Sequence, residues 1–131
     1  MLHLLDPDAR VNVKLDESDS SPVIIIGMID TSARAHILDL MKDQFLTFAD
    51  RIRLTRHGVK EWALVVDKNS QPVKFETEEV YIPGIGKRNV MSEKCLNYLS
   101  EKMLAKISTA VLELNFELED KEKNSVTPST L

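Results

Sequence analysis

The stretch RLTRHGVKEWALVVDKNSQPVKF, residues 53–75, holds the chain's single Trp and its clearest helix stop, and the rest of the sequence is read outward from it. A helical pattern ends in Arg56 and His57, and Gly58 follows where a helix C-terminus favours a residue free to turn left-handed. Gly58 is therefore expected at positive φ. Arg53 and Arg56, with His57 when protonated, fall in the last turn, where the negative end of the macrodipole favours cations by roughly 0.3–1 kcal/mol each. Val59 is placed to pack back on that turn. A Trp buries roughly 150–250 Å², so Trp62 is expected to anchor the core, with Phe75 and Gly58 beside it. Residues 63–66 have strand composition, residues 67–71 turn composition, and Val73 and Phe75 resume a period of two, which predicts a hairpin or a strand followed by a loop. Pro72 has no N–H and belongs at an edge or a strand start.

The full chain has 131 residues, enough for one domain with its own core. Hydrophobic residues make up 43% but aromatic ones only 5%, which predicts a mainly aliphatic interior. A net charge of −4 gives no global attraction to nucleic acid or an anionic membrane. One cysteine, Cys95, cannot form an internal disulfide. The opening MLHLLDPDAR lacks a basic leader and its apolar run breaks at Asp6-Pro7, so it does not read as a signal peptide. No window has the roughly 18 apolar residues of a transmembrane helix.

Before the central stretch, Val11, Val13 and Leu15 alternate with polar residues as a half-buried strand does. A polar loop ending in Pro22 leads to the β-branched run Val23-Ile24-Ile25-Ile26, and an antiparallel pair is expected across it. Asp30, Thr31 or Ser32 can cap a following helix. Ile37, Met41, Phe45, Phe48 and Ile52 then recur at helical spacing. That pattern does not decide between one helix and two over residues 32–57; two, broken within 43–50, is favoured. After the central stretch, residues 76–79 read as an acidic surface loop, Val80-Tyr81-Ile82 as a short strand stopped by Pro83-Gly84, and residues 86–89 as loop. Ser92 can cap a short helix carrying Cys95, Leu96 and Leu99, and Ser100 the next. There Met103, Ile107, Val111 and Leu114 form an amphipathic stripe. The expected class is α+β, a small antiparallel sheet packed by three to four helices, with a globular domain over residues 1–116 and a charged, flexible segment over 117–131.

Candidate chemistry is sparse. Gly84-Ile85-Gly86-Lys87 lacks the spacing and the hydroxyl of a phosphate loop. His3, His36, His57 and Cys95 show no metal-ligand spacing, Cys95 has no placed base, and Glu76, Glu78 and Glu79 read as a solvated charge run. No catalytic residue, metal or cofactor is expected. Arg53, Arg56 and Lys60, at spacings of three and four, could share a basic face that meets phosphate, although the acidic total and the helix dipole argue for a solvated helix end. Leu114 belongs to the apolar stripe, while Phe116 and Leu118 run on into a charged stretch, which makes the three candidates for a partner's groove.

At residues 58–75 and 114–124 the chain resembles small proteins from the morphogenesis gene clusters of tailed bacteriophages, of the tail-assembly-chaperone kind. Their pattern is a helix end running into Gly-hydrophobic-x-Gly-Trp, a turn Asp-x-Asp-Gly-Asn-Pro-Val-x-Phe, and a final helix closing with hydrophobic-Asn and Lys-Asn. Gly58, Val59 and Trp62 match the first part, with Glu61 in place of the second glycine. Asp67, Asn69, Pro72, Val73 and Phe75 match the second, with Ser70 for the glycine and Gln71 for the asparagine. Leu114-Asn115 and Lys123-Asn124 match the third. The resemblance implies a non-enzymatic protein that binds other phage proteins in the host cytoplasm during assembly. A virion component, such as a head–tail connector, tail or capsid-associated subunit, is the alternative, and a DNA-binding accessory role the third. Nucleic acid and membrane are not expected partners, and self-association stays open.

Overall fold

Alternating side chains set up the first sheet. In the computed structural model, which describes residues 4–41 and 45–116, strand β1 (Arg10–Lys14) pairs antiparallel with β2 (Val23–Gly27), Val13 opposite Ile24 and Arg10 opposite Gly27. The loop between them closes on buried Ser21, whose hydroxyl accepts from the amides of Leu15 and Asp16 at 3.1 and 3.0 Å. β3 (Val59–Ala63) joins the other side of β2, giving the order β1-β2-β3 with a bulge between Ile25 and Ile26. Ile24, Ile26, Val59 and Trp62 are the buried hydrophobic side chains of β2 and β3, and they join one core cluster. A second sheet is the hairpin of β4 (Thr77–Ile82) and β5 (Gly86–Met91). Its tip uses Gly84 and Gly86 at φ of 81° and 118°, a region that a side chain disfavours.

Helix starts follow the capping residues. Asp30 caps α1 (Thr31–Leu40), accepting from the Ala33 amide. Thr47 and Asp50 form a reciprocal capping box at the start of α2 (Phe48–Gly58). Ser92 caps the single turn α3 (Glu93–Leu96), and Ser100 caps α4 (Glu101–Asn115). α2 and α4 pack together and, with β2, β3 and β5, enclose a core of Ile24, Ile37, Leu54, Met91, Ile107 and Val111. The fold is α+β, and the interior is mostly aliphatic.

Trp62 is 6% exposed, its Nε1 donates to Val73 O at 2.8 Å, and its ring meets half-buried Phe75 edge-on at 5.4 Å. The indole thereby holds residues 73–75 against the sheet while satisfying its own polar atom. Asn115 does the same for α4. Buried at 2% exposure, its Oδ1 accepts from Ile29 N at 2.6 Å and its Nδ2 donates to Gly27 O at 3.2 Å and Val111 O at 3.0 Å.

Several sequence expectations need correction. Gly58 ends α2 at the expected position, yet it is not among the residues of positive φ. Its missing side chain serves contact with α4, because a Cβ there would lie 2.4 Å from Val111 Cγ1. The strand follows Gly58 at once and stops at Ala63, not over residues 63–66; Leu64 takes a φ of 62°, and of the two expected alternatives it is the strand followed by a loop that forms, the hairpin being reduced to a single bridge between Val66 and Pro72. Residues 76–79 and 86–89 are mostly strand, not loop, since β4 begins at Thr77 and β5 at Gly86. The periodic run from Ile37 to Ile52 spans two helices, so Phe45 and Phe48 do not share its face and are 52% and 49% exposed. Leu99 lies beyond α3. Residues 117–131, including Leu118, lie outside the described part.

Candidate protein-binding surface

α2 presents two faces. Leu54, Thr55 and Gly58 are buried, whereas Ala49, Ile52, Arg53 and Arg56, spaced as one helical face, line a cleft against the β4–β5 hairpin. His57, Val80 and Val90 complete the lining of a cavity of about 320 Å³. The capping box fixes the start of this helix, so the face is set relative to the hairpin from its first turn.

The cationic groups at the cleft are already engaged. Arg53 Nη1 meets Asp50 Oδ1 at 3.1 Å, and Asp50 is itself buried and accepts from the Thr47 amide. Arg56 donates through Nε to Met91 O at 3.0 Å and through Nη2 to Glu78, tying α2 to both hairpin strands. Burial of the imidazole, reinforced by the charges of Lys60 and Arg56 and opposed by Asp30, pushes the His57 pKa down to about 4. It is neutral at pH 7, so the condition for its part at the helix end, protonation, is met only toward pH 4. What is left in the cleft is an apolar floor of Ala49, Ile52, Val80 and Val90 between paired arginines.

Lys60 does not share this face. The helix has become strand by that residue, so the three-and-four spacing lapses, and Lys60 Nζ donates to His57 O at 3.1 Å. Arg51 reaches α4 instead, donating to Ala105 O and Ser108 Oγ at 3.1 and 2.9 Å. Leu114 and Phe116 are half-buried and packed on the chain's own core, which accounts for much of their apolar surface. Across the hairpin, Arg88 pairs with both carboxylate oxygens of Asp30 at 2.9 and 3.1 Å, and this bond holds the Asp30 carboxyl below its ordinary range.

Large apolar side chains stay exposed around the α1–α2 connection: Leu38 at 55%, Leu40 at 41%, and Phe45 and Phe48 as given above. Phe48 is the first residue of α2, adjoining cleft residue Ala49. A smaller hollow of about 160 Å³ lies beside Cys95, whose buried sulfur accepts from Glu76 N at 3.3 Å and donates to Lys74 O at 3.6 Å. A thiol held this way between backbone groups is a packing residue. Among the described residues no group of His, Cys, Asp or Glu could hold a metal ion, and no helix is long and apolar enough to cross a membrane.

The sequence had singled out Arg53 and Arg56 but not the apolar lining. Its available signal was the spacing of Ala49, Ile52, Arg53 and Arg56, but the partners Val80 and Val90 arrive from strands remote in sequence. Comparison with protein-family models, curated proteins and solved structures found no match.

Proposed function

We propose that this chain is a non-enzymatic contact protein of tailed-phage morphogenesis, of the tail-assembly-chaperone kind, binding a structural protein of the particle before assembly. The motif resemblance supports the phage assignment. The observation that carries action by contact is the α2 cleft: its floor is apolar and its arginines are matched by Asp50 and Glu78. Such a site offers a phosphate backbone few free cations, but it gives an apolar side chain a mainly apolar seat with a polar rim, the layout of a protein interface. At about 320 Å³ it sits at the small end of ligand pockets, roughly 300–1,000 Å³, and suits one or two anchoring side chains.

The test is to delete the coding sequence from its genome of origin and to follow the protein in the wild type. Loss of finished particles, with the protein bound to a particle component in lysate but absent from purified particles, is the expected outcome. Presence in particles at fixed copy number would instead assign it to the virion. A variant with Ile52→Glu, which puts a charge on the cleft floor, should fold and fail to bind that component.

A further inference from the structure

Gly27, the last residue of β2, lies opposite Arg10 of β1. A Cβ at Gly27 would come within 2.6 Å of Arg10 Nη1 and 2.9 Å of Lys60 Cγ, so side chains from β1 and β3 converge on one glycine of the strand between them. The missing side chain lets the guanidinium and the lysine stem approach this closely, which brings two positive charges together. Neither is met by a carboxylate among the described residues. Arg10 Nη1 donates to Ala9 O at 2.9 Å and Lys60 Nζ to His57 O at 3.1 Å, both carbonyls, and most of their N–H donors stay open. Asp30, the acid that acts on Lys60, gives both of its carboxylate oxygens to Arg88.

A third cation is tied to the same glycine. Asn115 donates to Gly27 O at 3.2 Å, and Arg34 Nη1 donates to Asn115 O at 3.2 Å. Arg34 Nε is closed to solvent and has no hydrogen-bond partner among the described residues, so Arg34 adds positive field and not a point of contact. Arg10 is exposed and Lys60 half-buried, so an anion reaches the guanidinium from solvent and the ammonium at a partly desolvated position. Burial, and then the charge of Arg10, hold the Lys60 pKa below its ordinary value, and an anion between the two would relieve their repulsion.

Convergence on one point sets the shape of the ligand. A nucleic-acid strand is followed by cations spaced along a track, and one carboxylate would neutralise only one of the two charges. A compact dianion with oxygens on several sides matches both, and a phosphate group has that charge and shape. We propose that Arg10 and Lys60, converging over Gly27, form a binding site for a phosphate group, carried by inorganic phosphate or by a phosphate monoester. Neither residue lines the α2 cleft, so the site goes beyond the contact function proposed above and is tested separately from it.

The test titrates inorganic phosphate, and separately adenosine monophosphate, into the full chain at constant ionic strength, with chloride as the control anion. The amide shifts of Gly27 and Lys60 and the titration midpoint of Lys60 Nζ are followed by NMR on isotope-labelled protein. The expected result is a saturable shift at both amides and a Lys60 midpoint raised by about one pH unit, the effect of a dianion about 4 Å away through water once salt screens it. Arg10→Gln and Lys60→Gln, each checked for folding by circular dichroism, should weaken phosphate binding read at Gly27 by about tenfold or more, the loss of one charge-assisted bond. Inorganic phosphate binding as tightly as the monophosphate, or tighter, supports a site for the free ion. Tighter binding of the monophosphate, with none of adenosine, supports a site for the ester. Shifts that chloride reproduces, or that both folded variants keep unchanged, mean an unspecific ion atmosphere and overturn the site. Tighter binding of a single-stranded oligonucleotide with a steep salt dependence overturns it too, since the two cations would then belong to a track.

Discussion

Replacing Gly58 with Ala sets two physical effects of opposite sign against each other. Gly58 is the last helical residue of α2 and lacks positive φ, so helix propensity alone favours Ala by about 1 kcal/mol. The added Cβ, however, would sit 2.4 and 2.5 Å from the two methyls of Val111 and 3.0 Å from its Cβ. Val111 is fully buried and β-branched, so it cannot turn aside without meeting its neighbours. Overpacking of this kind costs about 1–3 kcal/mol, and contact with a stiff neighbour belongs in the upper part of that range. The net expectation is a loss of about 1–2 kcal/mol, or about 3–6 °C in melting temperature for a domain of this size. Denaturant melts of Gly58→Ala, Val111→Ala and the double variant complete the cycle. With Val111 cut back, Gly58→Ala should be neutral or stabilising, giving a coupling of about 2 kcal/mol. A single Gly58→Ala variant that melts higher than the wild type would refute the close α2–α4 approach and leave only the propensity gain.

Other expected outcomes come from equally specific contacts. Trp62→Ala should cost about 3–5 kcal/mol in a denaturant melt, and a loss under about 1 kcal/mol would mean the indole is not packed as described. Asn115→Ala leaves Ile29 N and Gly27 O without their side-chain partners; stability should drop by about 2–3 kcal/mol, and the Ile29 amide should exchange faster with deuterium. His57 binds a proton more weakly when folded, with its pKa moved from 6.5 to about 4. Between those values the unfolded chain holds more protons, so the contribution is whole above about pH 6.5 and is lost as pH falls toward 4. The full shift would be worth about 3 kcal/mol, reduced to roughly 1–2 kcal/mol by solvent at the half-buried ring. His57→Gln should flatten that part of the stability–pH curve, and an unchanged curve would place the pH dependence elsewhere.

Local chemistry was legible in the sequence where one short-range signal decides the outcome. Asp30, Ser92 and Ser100 cap helices because each hydroxyl or carboxylate needs only an amide three residues ahead. The β1–β2 pair followed from alternation, and the helix end at Gly58 from punctuation. The reason for that glycine did not, because Val111 lies far away in the chain and close approach leaves no local trace. β4 and β5 were read partly as loop because acids and small polar residues are poor strand formers; their pairing rests on the Gly84–Gly86 turn and on one apolar face turned toward α2. Phe45 and Phe48 fitted a helical period by coincidence of spacing across the α1–α2 connection. Of the candidate surface, Arg53 and Arg56 stood out as charges, yet their neutralisation by Asp50 and Glu78 depends on tertiary placement. The Arg10–Lys60 convergence over Gly27 joins three separate strands and had no signal in any single stretch.

The central claim, that the chain works by binding a particle component, is tested most directly by size-exclusion chromatography with mass spectrometry on lysate from infected cells, comparing wild type with Ile52→Glu. The expected result is that the wild-type chain elutes in a complex with one particle protein and the variant, folded by circular dichroism, elutes free. A wild-type chain that elutes alone throughout assembly, or an Ile52→Glu chain that stays in the complex, would contradict it.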